Sequence, residues 1–470
     1  MKMRRTLMIG TILLYFSVCS TGYLPSGAVR ETAPAENKAR MVGLPADCNL
    51  GMPVKPEPGI DGKFGPLNRI CSGVNIHFTA GHEADLDMIA AAGFRYIRMD
   101  LVWQETERAR GIYSWADYDE LTANLDKRGL RAIYILDYSN SLYEDPVESK
   151  DPLTGEKETG IAAPRHKESV TAFSRWASAA AVHFRDSRVV WEIWNEPNVT
   201  FWKPVPDVAQ YITLAMATCS AMRSAVPDCV IIGPATSQIP FPFIESFLAS
   251  GVLRYLDGVS VHPYRDYAKS PETAVTDYRR LRDLIDRYSP EGIKNVPIIS
   301  SEWGYASATK GLSVNTQAKY IVRMQLSNLL YGIPVSIWYD WKNDGDDPGN
   351  FEHNCGTVSS DLKPKPAYIT ASTMNRQLDG FTFLRRMDFK NDSDYIMLFK
   401  DDRGNYKICA WTTDQPNSVI SNIVVPYAAG LSALDGEGNV LKLKTDRGKL
   451  VLDLNDLPQY ISLPSGLRLD

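Results

Sequence analysis

Val189-Val190-Trp191-Glu192-Ile193-Trp194-Asn195-Glu196 is the stretch on which the reading of the fold turns. Val189–Trp194 is apolar apart from Glu192 and does not alternate with polar residues. A strand of that kind is buried on both faces, as in a parallel sheet covered by helices. Glu192, in mid-strand, must then be paired inside the sheet, because a buried lone carboxylate is too costly. Asn195 and Glu196 stand where the apolar run stops.

The same pattern recurs on both sides. Upstream lie Val74–Phe78, Phe94–Met99 and Arg131–Leu136; downstream lie Val230–Ile232, Gly258–Val261, Val296–Ser300 and Val335–Tyr339. Amphipathic stretches separate them: Glu83–Ala92, Tyr118–Lys127, Lys167–Phe184, Val208–Ala225, Phe241–Ala249, Ala274–Tyr288 and Ala318–Tyr331, with Pro366–Leu378 closing the series. Gly93 and Gly129 end the first two helices. Eight strand-helix units in succession predict an α/β fold, a (β/α)8 TIM barrel over residues 71–380. A doubly wound sheet would carry a Gly-rich loop after its first strand, and none is present. From residue 381 to 470 short strands separated by Asp-Arg-Gly and Asp-Gly-Glu-Gly turns predict a small C-terminal antiparallel β-sandwich. The expected strands are Tyr395–Phe399, Asn405–Trp411, Val419–Val425, Leu431–Asp435, Val440–Leu443 and Leu450–Leu454.

Residues 1–28 read as a secretory signal peptide, basic at Met1–Arg5 and apolar over Leu7–Val18, and residues 29–70 as a linker and lead-in. The expected location is secreted, periplasmic or cell-surface. Cys19 sits where a lipoprotein is acylated, which would give the one route to membrane attachment; otherwise it leaves with the signal. Seven cysteines occur. Without Cys19 the set is even, with Cys219 and Cys229 the best local pair for a disulfide and buried free thiols the alternative. The formal net charge of -5 leaves no basic excess for nucleic acid. The six histidines are scattered, no spacing suggests a metal, and no cofactor is expected.

Barrel enzymes carry their chemistry at the C-terminal ends of the strands. Those ends read Arg98 and Asp100; Asp137, Tyr138 and Asn140; Asn195 and Glu196; His262 and Tyr264; Glu302 and Trp303; Trp338, Asp340 and Trp341. Two glutamates on strands four and seven can face each other across the mouth. That is what glycosidic cleavage needs: an acid for the leaving oxygen and a carboxylate on the other side of the ring, about 5–5.5 Å away when configuration is retained.

Trp191-Glu192-Ile193-Trp194-Asn195-Glu196-Pro197-Asn198 resembles the signature of clan A glycoside hydrolases, and Ile299-Ser300-Ser301-Glu302-Trp303-Gly304 is similar to the clan's nucleophile segment. His262-Pro263-Tyr264, Arg98 and Trp338 match its sixth-, second- and eighth-strand residues. Ile135-Leu136-Asp137-Tyr138-Ser139-Asn140, Gly111-Ile112-Tyr113-Ser114-Trp115 and Trp338-Tyr339-Asp340-Trp341, leading to Glu352-His353, resemble family 39; family 5 is a more distant likeness. Family 5 cellulases place a histidine near the third strand end, where Asp137, Tyr138 and Asn140 stand here. The resemblance implies Glu196 as acid/base and Glu302 as nucleophile of a retaining hydrolase of β-linked oligo- or polysaccharide. It implies Arg98, Asp137, Tyr138, Asn140, Asn195, His262, Tyr264, Trp303, Trp338 and Asp340 as substrate-binding residues. Tyr264 is expected to donate to Glu302, and Asn195 to hold the sugar 2-hydroxyl. Trp103, Trp202 and Trp341 are further candidates for stacking on sugar rings. Glu105 and Glu107 are expected to be solvated, as is the acidic loop Asp344, Asp346, Asp347 and Glu352, with calcium as its alternative. A transglycosylase on the same residues, and a carbohydrate-binding barrel without catalysis, are the competing readings.

Overall fold

The computed structural model describes residues 63–66, 68–150, 157–293, 295–387, 391–414, 422–426, 431–446 and 449–463. The expected signal peptide, most of the lead-in, Cys19 and Cys48 lie outside the described residues. Eight parallel strands close into a barrel. In chain order they are Ser72–Asn75, Tyr96–Val102, Arg131–Asp137, Val190–Ile193, Val230–Ser237, Gly258–His262, Ile298–Trp303 and Ser336–Trp338, the last pairing with the first. The helices follow the expected series. Ser313, which caps the backbone N–H of Thr316, starts the seventh at Val314, earlier than its apolar pattern suggested.

The barrel interior is layered. Tyr96, Ile133, Val190, Val230, Ile232, Ile299, Val335 and Ile337 form one buried cluster with Phe64 at the N-terminal end. Side chains two residues further along a strand share its face. Above Tyr96 therefore comes Arg98 and then Asp100; above Ile133, Ile135 and then Asp137; above Val190, Glu192. The closed end of the barrel is apolar and the open end polar.

Strand seven breaks this rule. Ser300 and Trp303 pair with Ser336 and Trp338, so three steps on strand seven match two on strand eight. The bulge shifts the phase by one residue. Ile299 and Glu302, an odd number apart, can then both face inward.

Several elements were not expected from sequence. A hairpin, Pro146–Lys150 with Lys157–Ile161, follows strand three, and a short helix, Trp103–Thr106, follows strand two. Strands Phe381–Arg386 and Gln459–Ser462 join the C-terminal domain; Val440 makes only an isolated bridge, and the strand lies at Lys444–Asp446. The five cysteines among the described residues are free thiols, so the expected Cys219–Cys229 disulfide is not formed.

The C-terminal domain has a five-stranded and a three-stranded antiparallel sheet. Alternation along the larger sheet decides what each face touches. Ile396, Leu398, Ile408, Ala410 and Ile461 cluster with Leu450 and Leu452 of the smaller sheet, closing the sandwich. Tyr395, Met397, Phe399, Cys409 and Trp411, the alternate positions of their strands, and Tyr460, which pairs with Cys409, join the core of the barrel. At this seam Arg323 grips Glu272 with two hydrogen bonds of 2.7 and 2.8 Å, and the Trp411 indole N–H donates to the same carboxylate at 2.9 Å.

Burial pushes the Glu272 carboxyl up, but the Arg323 guanidinium outweighs it and holds the group below its ordinary value. A depressed carboxyl contributes stability that is full at neutral pH and fades as acid protonates it. Arg323→Met would strand the buried carboxylate, at a cost of about 3–5 kcal/mol. Urea unfolding should show that loss at pH 7 and a narrowing gap below about pH 4. An equal loss at both pH values would rule out the ion pair as its cause.

Candidate active site

Arg98 occupies the centre of the polar layer and is buried. Its Nε donates to Glu192 Oε2 at 2.6 Å, Nη1 to Glu302 Oε2 at 2.6 Å, and Nη2 to Asn195 Oδ1 at 2.8 Å. Nη2 also lies 3.2 Å from His262 Nε2. A guanidinium can only donate. Nε2 is therefore the unprotonated nitrogen, and His262 carries its proton on Nδ1. That proton points to Glu196 Oε1, 2.9 Å away. Burial and the charge of Arg98 hold His262 well below its ordinary pKa, so it is neutral. One side chain from strand two thus links strands four, six and seven.

The two glutamates are tuned apart. Glu196 is raised well above the ordinary carboxyl value by burial first and by repulsion from Glu302 second. Glu302 is also raised by burial, but Arg98 and the Tyr264 hydroxyl oppose the rise. Tyr264 donates to Glu302 Oε1 at 2.8 Å, and Asn75 offers a longer contact of 3.5 Å to Oε2. Oxygens of Glu196 and Glu302 and a ring nitrogen of His262 lie within 4.8 Å of one another. Of the two carboxyls at this short range, Glu196 is the one that holds a proton more firmly and Glu302 the one that Arg98 and Tyr264 favour as the ion. The Nδ1 proton of His262 and the hydrogen bonds already committed make this an acid/base set rather than a metal cage.

Backbone strain sits at the acid. Trp194 and Glu196 have φ of 67° and 46°, in the left-handed region that non-glycine residues avoid. Such positions cost about 1–3 kcal/mol each and persist only where the surroundings over-determine them. Here the Glu196 N–H is held by the Ala235 carbonyl at 2.9 Å.

Asn195 and Tyr138 meet as neighbours in the site: Asn195 Nδ2 donates to the Tyr138 hydroxyl at 3.0 Å. Tyr138 is stacked on Phe201, the centroids 5.7 Å apart. Asp340 holds His77 at 3.3 Å. Burial works against charge on His77, but Asp340 raises it to about 10. His77, Asp340 and Asp344 could also form a second ligand set.

Other expectations are corrected. Asn140 does not face the mouth; its amide donates to the Glu107 carbonyl at 2.8 Å and accepts from the Leu142 N–H at 2.9 Å, which builds the loop. Trp338 follows the inward Ile337 and so points outward. Its indole N–H donates to the Cys355 carbonyl at 3.1 Å and its ring packs beside Tyr305. Trp303, beyond the bulge, also packs on Tyr305. Trp103, Trp202 and Trp341 are likewise buried in the core. None of the five presents a face to solvent. The next inward residue, just past the end of strand eight, is Tyr339, whose ring lies 5.7 Å from that of His77 and whose hydroxyl donates to Glu352 at 3.0 Å. Gly304 makes room for that turn: a Cβ there would lie 1.9 Å from the Tyr339 carbonyl oxygen.

Glu105 is exposed as expected, but Glu107 is buried and accepts from Trp103, Gly111 and Tyr143. Glu352 is buried as well, and burial together with Asp344 and Glu302 pushes it to about 8 against the Tyr339 hydrogen bond. Asn75, His77 and Tyr339 lay within the expected runs Val74–Phe78 and Val335–Tyr339 but were not singled out, and Glu352, expected to be solvated, comes in from the loop after strand eight. A cavity of about 970 Å³ opens at the N-terminal end of the barrel, among Cys71, Tyr96, Arg131 and Val230, away from this chemistry.

The model of the cellulase family, glycosyl hydrolase family 5, matches residues 68–345. The chain belongs to that family, within the clan A glycoside hydrolases. A solved family 39 glycoside hydrolase from the gut symbiont Bacteroides cellulosilyticus WH2 superposes on this glycoside hydrolase with a TM-score of 0.72 and 26% identity, covering 84% of this chain and 81% of that one. A family 39 β-xylosidase from Caulobacter crescentus shares the fold, with a TM-score of 0.62 at 18% identity over 84% and 96% of the two chains. A β-xylosidase from Geobacillus stearothermophilus is 27% identical over 209 residues, 40% of this chain. The match spans only 41% of that relative's length.

Tyr264→Phe removes a donor that favours ionised Glu302. The Glu302 pKa should rise, so the acid limb of kcat/KM should move to higher pH. The loss at a pH near that limb should be about ten-fold, as for a hydrogen bond to a charged group. A pH-rate profile superimposable on the parent's would remove Tyr264 from this role.

Proposed function

We propose that this glycoside hydrolase is a retaining β-glycosidase. The observation that carries the reading is the short approach of Glu196 and Glu302, with oxygens within 4.8 Å. Inverting enzymes separate their carboxyls by about 6.5–9.5 Å to admit a water between them.

In the first step ionised Glu302 attacks the anomeric carbon from below the ring. The bond to the leaving oxygen breaks as Glu196 gives that oxygen its proton. The product is a glycosyl ester on Glu302 and a free alcohol. Glu196, now a carboxylate, takes a proton from water, whose oxygen attacks the same carbon and expels Glu302. Two inversions retain configuration. The changing charge of Glu302 retunes Glu196: esterification removes the repulsion that, after burial, raised its pKa, which lowers it toward a base for the second step. Arg98 stays fixed throughout and stabilises Glu302 as attacking and leaving group.

The substrate is a β-linked oligo- or polysaccharide. The β-xylosidases among the similar proteins make aryl β-xylosides the first compounds to test. The basic and apolar Met1–Val18 segment supports export from the cytoplasm.

Glu302→Ala should reduce turnover to background. Glu196→Ala should slow glycosides with poor leaving groups by about 10²–10⁴, spare the first step for activated aryl glycosides, and regain turnover with azide, releasing a β-glycosyl azide. An α-configured product would falsify retention, and near-parental activity of Glu302→Ala would remove the nucleophile.

A further inference from the structure

The catalytic description leaves one pair of carboxyls unused. Asp100 and Asp137 end the inward rows of strands two and three, above Tyr96 and Ile133. Asp137 is fully buried, and among the described residues no N–H or O–H reaches either of its oxygens. What stands within hydrogen-bond reach is the carboxyl of Asp100. Asp100 itself is only part-buried, so it forms the open side of the pair. Two carboxylates in contact cannot both ionise; one must keep a proton and donate it to the other. Burial, then Asp100, drive Asp137 well above the ordinary value, which makes it the donor.

The surroundings support that state. Arg98 below is already committed to Glu192, Glu302 and Asn195. Glu192 on strand four adds a further negative charge to Asp137. His77, beyond strand one, is a cation whose contact is with Asp340, though Asp100 also acts on it. Tyr118, from the helix Ala116–Asp126, gives its hydroxyl proton to the Asp100 carbonyl rather than to either carboxyl. Tyr138 receives Asn195. Asp100, part-buried and two residues beyond Arg98 on the inward face of strand two, stands toward the open end of the barrel at the corner where Arg98 holds Asn195.

We propose that Asp100 and Asp137 form a sugar-hydroxyl site in which Asp137 donates to Asp100 and Asp100 accepts from a hydroxyl of the sugar seated against Glu302. The inference rests on the glycosidase reading and names a specificity determinant within it: a sugar that presents an equatorial or axial hydroxyl at that corner is favoured over its deoxy counterpart. Asp100 touches substrate; Asp137 is a positioning residue. When Asp137 loses its proton at higher pH it no longer donates to Asp100, and the two charges repel.

The test uses the full chain, parent and variants, with an aryl β-glycoside that the parent hydrolyses and its monodeoxy analogues. For the parent, one monodeoxy position should raise KM by about ten-fold or more, the scale of a hydrogen bond to a charged group. Asp100→Asn should lose most of that discrimination at the same position. Asp137→Asn, which keeps an N–H donor toward Asp100 but cannot titrate, should lack the rise in KM that the parent shows as the pH is raised. Undiminished discrimination in Asp100→Asn, or an unchanged KM profile in Asp137→Asn, overturns the proposal. A parent that turns over no β-glycoside defeats the glycosidase reading itself, a distinct result.

Discussion

The architecture of the mouth depends on one buried guanidinium. Arg98 comes from strand two, and its donors end on strands four, six and seven. Those contacts set the position of Glu302, the orientation of Asn195 and the tautomer of His262, which in turn aims a proton at Glu196. Burying an unpaired guanidinium would be prohibitive, and a carboxylate buried beside it equally so. The group is tolerated because Glu192, in mid-strand, supplies a permanent counter-charge. The proposed change of Glu302 from carboxylate to ester then does not leave Arg98 unpaired. This separation of a structural partner from a reactive partner is what lets one cation serve both the fold and the proposed chemistry.

Geometry at the strand ends obeys a second constraint. A regular barrel strand offers the mouth every second residue, which is too coarse a grid for a catalytic pair. Two local departures adjust it. The bulge on strand seven turns Glu302 inward after Ile299, and the left-handed backbone at Trp194 and Glu196 brings the acid into line after Glu192. Both departures cost local stability, and both are braced: Glu302 by Arg98 and Tyr264, the Glu196 backbone by Ala235.

The sequence made the barrel legible because long apolar runs report burial on both faces, and all eight runs became strands. Glu196, Glu302, Arg98, His262 and Tyr264 were legible because each ends such a run. The tryptophans misled for a physical reason. A strand-end Trp is expected at the mouth only if its phase is known, and phase is lost at a bulge and at a short strand such as Ser336–Trp338. Trp338 and Trp303 therefore read as sugar platforms and are core. Glu107 was misread because nothing in its own segment announces Tyr143, which arrives from the next loop. The hairpin after strand three escaped notice because Pro146–Lys150 and Lys157–Ile161 are polar and carry no apolar alternation to mark them.

Charge balance explains why protons stay where they are. Glu192, Glu196, Glu302, Asp100 and Asp137 crowd one end of the barrel around a single fully buried cation. Two like charges about 4 Å apart repel by about 4 kcal/mol even at an effective dielectric of 20, which is about three pKa units for the group that yields. Arg98 and its direct partners satisfy Glu192 and Glu302. Glu196 and Asp137, which Arg98 does not touch, are the groups left to hold protons. The same cation that favours ionised Glu302 thus leaves Glu196 to hold its proton more firmly, and the difference between two chemically identical side chains follows from which of them the guanidinium can reach.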